Sequence, residues 1–156
     1  MKRSLFPAIG IILFVTTSLS AQMTDMIWDT HGVGFKVPNN FVIETNTGEE
    51  FSASNDNLFL TIAPFQDEEV TEDNLADAVV AMAEALEYDI IEEVEALEID
   101  DFTGYYIKGK KEGTNAVVMA LLDKESSTNL LVVIVYNKGY EEQAIKIAAS
   151  LYAYDE

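Results

Sequence analysis

The stretch NLLVVIVYNKGYEEQAIKIAASL, residues 129–151, decides the architecture. Leu130, Leu131, Val132, Val133, Ile134, Val135 and Tyr136 form one unbroken apolar run. β-Branched and aromatic residues dominate its second half, so it reads as a strand rather than a helix. A strand wetted on one face alternates apolar with polar residues. This one does not, which places it in mid-sheet with cover on both faces. Gly139 punctuates the chain, and Tyr140, Ala144, Ile147, Ala148 and Leu151 then recur at helical spacing as one apolar stripe. The expectation is a helix lying across the sheet that holds the strand.

Upstream, Met26, Ile27 and Trp28 read either as a first strand or as a loose arm. Phe35 and Val37 alternate with Lys36 in a short strand that Pro38 stops. Strands are expected at 41–45, 51–54 and 58–63, separated by the turns Asn39-Asn40, Thr47-Gly48 and Asn55-Asp56-Asn57. Pro64 marks an edge or an exit. Thr71 suits a helix N-cap with Glu72 and Asp73 in the first turn. Leu75, Ala78, Val79, Met82 and Leu86 predict the buried stripe of a helix reaching Glu87. A strand over 90–99 needs a bulge near Ala96 or else lies at a charged edge. Asp100-Asp101 then turns into a strand over 102–111, and Glu112-Gly113 is a hairpin turn into an apolar strand over 116–122. Residues 152–156 add a last short strand or fray. The order of strands, helix, antiparallel strands and helix is α+β, an antiparallel sheet flanked by helices.

Lys2 and Arg3, the apolar stretch from Leu5 to Val15, and the small residues Ser18-Leu19-Ser20-Ala21 have the three-part layout of a secretory signal. Cleavage falls after Ser20 or after Ala21. The reading is residues 1–21 as signal and 22–156 as one α+β domain, periplasmic or extracellular. An uncleaved membrane anchor is the competing reading, but the apolar stretch is shorter than the roughly 20 residues of a membrane-spanning helix. No later segment is long and apolar enough to span, and the acid surplus disfavours anionic membrane surfaces, so no membrane association is expected after cleavage. The chain has no cysteine, hence neither a disulfide nor a lipidated N-terminus.

Nine basic residues face 28 acidic ones, a net charge of −19. No Lys or Arg occurs between Lys36 and Lys108, an interval that holds 19 of the acids. Nucleic acid is excluded as a partner, because phosphate binding needs cations. A regional negative field instead steers a basic protein partner.

Gly34-Phe35-Lys36-Val37-Pro38-Asn39-Asn40-Phe41 resembles the opening of the Mog1/PsbP-like superfamily. Asp100-Asp101-Phe102-Thr103-Gly104-Tyr105 is similar to the turn that opens its meander. The helix running into Ala149-Ser150-Leu151-Tyr152 is similar to its close. The resemblance spans residues 33–152. It implies an αβα sandwich and a non-catalytic binding or accessory role toward a protein or small ligand, without a cofactor. The missing lipid-site cysteine departs from many exported bacterial members.

Three groups of residues invite chemistry. His31, the sole histidine, follows Asp29 by two positions, but no Gly-x-Ser-x-Gly or equivalent nucleophile accompanies it. Asp67, Glu68, Glu69, Glu72 and Asp73 would suit Ca²⁺ in oxygen count, yet lack the EF-hand spacing; a solvated acidic surface is the competing reading. Asp100-Asp101 is similar. A carboxylate-based hydrolase would need two acids in one pocket, one with a raised pKa. Lys108, Lys110 and Lys111 with Tyr105 and Tyr106 either grip an anion or pair with acids at an edge. The expectation is a non-enzymatic domain with no catalytic, cofactor or metal residues, and a divalent-cation-binding domain is the alternative.

Overall fold

The computed structural model describes residues 22–65, 70–125 and 129–154. The expected signal segment and the acids Asp67, Glu68 and Glu69 lie outside the described residues. In chain order the strands are β1 Met23–Trp28, β2 Val33–Pro38, β3 Val42–Asn46, β4 Phe51–Ser54, β5 Leu58–Pro64, β6 Asp89–Ile90, β7 Glu95–Ile99, β8 Phe102–Lys111, β9 Thr114–Asp123, β10 Asn129–Tyr136 and β11 Tyr152–Ala153. Helix α1 is Leu75–Ala85 and α2 is Glu141–Ala149.

β10 lies in mid-sheet, antiparallel to β5 on one side and β9 on the other. Leu130, Val132, Ile134 and Tyr136 are buried, whereas Leu131, Val133 and Val135 are half-buried. One face of the apolar run is therefore fully covered and the other only partly. The cause is where the helices land. α2 packs over β10 and β2, while α1 packs over β8 and β9. Strand alternation feeds both layers from one strand. Val117, Met119 and Leu121 of β9 join the α2 side, and Val118 and Ala120 join the α1 side.

The large sheet runs β3-β4-β5-β10-β9-β8-β6, with β7 also pairing β8. A second sheet, β1-β2-β11, was not foreseen. It exists because residues 23–28 form a strand that pairs β2 from Met23↔Pro38 to Trp28↔Val33. Its inward side chains Trp28, Val33, Phe35 and Val37 share the core of α2, so the layers are α1, the large sheet, and α2 with the small sheet.

Several expectations change in detail. The strand expected over 90–99 is two pieces, β6 and β7; no register shift marks Ala96, and β7 is instead the charged edge that was the other expectation. The chain leaves the ladder after Ile91, whose amide still donates to the Lys108 carbonyl at 3.1 Å, and rejoins it at Glu95. That exit turns Glu92 and Glu93 to water and lets Val94 pack toward α1. The α1 stripe is Leu75, Val79 and Ala83; Leu86 is 41% exposed because the helix ends at Ala85 and Glu87 adopts a left-handed φ of 66°. Ahead of α1, the Thr71 amide donates to Asn74 Oδ1 at 2.7 Å around a single 3₁₀ turn. Pro64 is an exit, since β5 sits between β4 and β10. The Glu112-Gly113 turn has positive φ at both residues, 51° and 81°, as a two-residue hairpin of the primed type requires. No helix among the described residues is long and apolar enough to cross a membrane.

The short β11 is held by a side chain from elsewhere. Asp101 Oδ2 accepts the Ala153 amide at 2.9 Å. Asp101→Ala is expected to cost about 1.5 kcal/mol, the scale of a hydrogen bond to a charged group. A lowered urea midpoint with an unchanged slope would show it.

Candidate functional site

Between α2 and the β7–β8–β9 end of the large sheet lies a groove of about 690 Å³. Its floor is Val117 and Met119 of β9 with Leu97 and Ile99 of β7. Its far wall is the flank of α2, Ala144, Ile145, Ala148 and Ala149, of which the three alanines project little beyond the backbone. Larger side chains there would fill the space against the sheet, so the groove follows from these alanines. Ala148, expected in the buried stripe, is half-buried and forms this wall.

β8 supplies the polar residues. Alternation places Tyr106 and Lys108 on the groove face, and both line it. Lys108 Nζ lies 2.7 Å from Glu141 at the start of α2 and 3.6 Å from Glu92. The hydrogen bond to Glu141 holds the Lys108 pKa above its ordinary value. Tyr106 donates its hydroxyl to Glu95, which raises the phenol pKa, because the carboxylate accepts only from the protonated form. At the other end Lys124 Nζ lies 2.7 Å from Glu98, beside Asp100. The Lys124 hydrogen bond holds Glu98 below the usual carboxylate range.

Lys108 and Lys124 thus mark two ends. Lys108 is six positions from Phe102, whose β9 partner Asp123 precedes Lys124. At ~3.3 Å per residue the ends are about 20 Å apart. The lining itself is balanced, Glu98 and Asp100 against Lys108 and Lys124; the acid surplus comes from Glu92, Glu95 and Glu141, which reach Lys108 and Tyr106 from outside the lining. Both ammonium groups are already ion-paired, so the groove is apolar below and net negative above.

The other expected clusters come apart. Alternation splits the lysines and tyrosines: Tyr105 packs on the α1 side, and Lys111 pairs with Glu87 at 3.5 Å. Pairing with acids is thus the reading that fits Lys108 and Lys111. His31 packs its ring 4.3 Å from that of Trp28 and donates from Nε2 to the Gly48 carbonyl at 2.7 Å. It fastens the β3–β4 turn, and Asp29 is exposed beside it. Glu72 and Asp73 are exposed at the 3₁₀ turn before α1. Among the described residues no three His, Cys, Asp or Glu side chains come together as metal ligands. Of the Asp100-Asp101 pair, only Asp100 faces the groove, since Asp101 is engaged with β11. Sequence reasoning missed Lys124, Glu92, Glu95, Glu98 and Glu141. It also missed the alanines, although three of them on one flank of a nine-residue helix were the available signal.

No protein-family profile matches this chain. No curated protein matches it either. Solved structures do. One is a Bacteroides thetaiotaomicron protein, 15% identical with a TM-score of 0.50 over 80% of this chain. The match spans 46% of that protein, so this chain corresponds to about half its length. Another is the Saccharomyces cerevisiae Ran-binding protein Mog1p, 12% identical with a TM-score of 0.55, covering 87% of this chain and 97% of that one. With antiparallel sheets and a helix on each side of the larger one, and with this likeness to Mog1p, the chain has the Mog1/PsbP-like α+β fold that its opening Gly34–Phe41 motif resembled.

Proposed function

We propose that this protein is an exported, non-catalytic binding or accessory domain that receives a basic partner in the groove beside α2. The observation that carries the reading is an apolar floor under a rim whose lysines are already neutralised and whose carboxylates are in surplus. Such a site repels anions and favours a ligand that joins apolar side chains to positive charge. The net charge of −19 speeds the approach of that ligand at low salt. Among the described residues, the groove lining contains no serine, threonine, cysteine or histidine. Glu98 is moved down in pKa, opposite to what a general acid needs. The binding role of Mog1p toward Ran, on the same fold, is consistent with an accessory function.

The test uses a defined probe: a capped peptide of about seven residues alternating valine and lysine, long enough to span about 20 Å. It is expected to shift the amide resonances of Leu97, Val117 and Met119, and to bind more weakly as NaCl rises. The same peptide with glutamate for lysine is expected not to bind. Ala148→Trp, which fills the groove from its half-exposed wall, is expected to cut affinity at least tenfold with little change in melting temperature. Equal binding of the lysine and glutamate peptides sinks the reading. Export is tested separately by the mass of the protein from its host, which should lack the first 20 or 21 residues.

A further inference from the structure

Resting on that reading, we infer that the groove takes its partner as an added β-strand on the outer edge of β7. β7 pairs with β8 only; no strand among the described residues lies along its other side. Ile99↔Phe102 closes a two-residue hairpin, so Ile99, Leu97 and Glu95 exchange backbone hydrogen bonds with β8. The Lys108 carbonyl, in the same parity as Phe102, accepts from the Ile91 amide on that same side. The amides and carbonyls of Ala96 and Glu98 therefore point outward. Both residues are exposed.

Natural edges are commonly blunted by lysine, proline or a bulge. β7 carries none of these and is guarded by Glu95 and Glu98 instead. Acidic guards exclude a second copy of this chain, whose net charge is −19, and admit a basic strand. The opposite edge of the sheet differs. β3 exposes Val42 and Ile43, but its register shifts between Ile43 and Thr45, a bulge that twists an edge away from pairing. Among the described strands, β7 is the edge strand whose side chains line the groove. Leu97 and Ile99 line that groove from the strand itself. An added strand would set every second side chain beside Leu97 on the groove face. With its apolar side chains there, the alternating basic ones would fall on the other face, the side of Ala96 and Glu98. Main-chain bonds would supply affinity, and the alternate side chains selectivity.

The alternating valine–lysine peptide is again the probe. It should slow hydrogen exchange at the Ala96 and Glu98 amides. Ala96→Pro removes one outward N–H at an edge position where proline is tolerated, and should weaken binding at least tenfold. A peptide N-methylated at the amides along one edge should lose the same factor on the wild-type protein, which serves if Ala96→Pro does not fold. Binding that survives both changes, yet is abolished by Ala148→Trp, overturns strand addition and leaves the groove reading standing. Binding indifferent to Ala148→Trp, or absent from the wild type, overturns both.

Discussion

Trp28→Ala is expected to destabilise the protein by about 3–5 kcal/mol, the range for deleting a buried large aromatic side chain. Trp28 is fully buried at the end of β1, where it pairs with Val33. Its Nε1 donates to the Thr47 carbonyl at 2.7 Å, so one side chain joins the small sheet to the β3–β4 turn. The alanine variant loses the apolar area, leaves a cavity beneath the small sheet and leaves the turn held from this side by His31 alone. For a domain whose whole stability is of order 5–15 kcal/mol, this leaves a marginal fold. Urea unfolding followed by circular dichroism would measure it. Trp28→Phe keeps most of the ring and loses the hydrogen bond; because Thr47 is exposed, water takes over its carbonyl. About 1–2 kcal/mol is expected there. A Trp28→Ala cost below about 1 kcal/mol would mean that the small sheet is not part of the cooperative core.

Gly104→Ala is the second large effect, at about 3 kcal/mol or more, the upper end of what overpacking costs. A Cβ built on Gly104 would lie 1.9 Å from the Ala120 carbonyl oxygen and 3.1 Å from Leu121 Cα. Both obstacles are backbone of β9, so no rotamer change relieves them and the β8–β9 ladder must part. Two glycines calibrate the result. Gly113 has open space around it but a φ of +81°, so its alanine variant should lose roughly 1–2 kcal/mol from backbone strain alone. At Gly48 the added carbon would meet only Thr30 at 3.6 Å, ordinary contact, and the effect should be small. Thermal melts of the three alanine variants should rank Gly104 lowest and Gly48 nearest to wild type. The reverse order would refute the close β8–β9 approach.

Elements with a strong local signature were legible from the chain alone. The apolar run ending at Tyr136 is a central strand, and the Glu112-Gly113 dipeptide turns a hairpin between β8 and β9. Of the expected stripe, Ala144 and Ile147 on α2 and Leu151 just past its end are buried, whereas Tyr140 and Ala148 are half-buried. Where two weak signals competed, reading was less secure. Residues 90–99 carry apolar side chains on both parities, and a bulge and a break satisfy that pattern equally well in one dimension. The break was selected by α1, against which Val94 packs. Leu86 fits the helical period but falls beyond the last helical residue, because periodicity does not register the left-handed turn at Glu87.

The groove was least legible. Its parts were each visible as residues: lysines on one strand, acids on another, alanines on a helix. Lys108 meets Glu141 only because β8 and the start of α2 are brought together across 33 positions of chain. Lys124 meets Glu98 across 26. The sequence by itself established the α+β class, the antiparallel order from β8 to β10, the final helix, and an acid surplus concentrated between Lys36 and Lys108. These follow from periodicity and charge count, which are local or additive. The second sheet, the half-covered face of β10 and the groove belong to the tertiary structure alone. Periodicity reports which face of an element is apolar. How much of that face a neighbour covers depends on where the helix axis comes to rest over the strands, and long-range packing decides that.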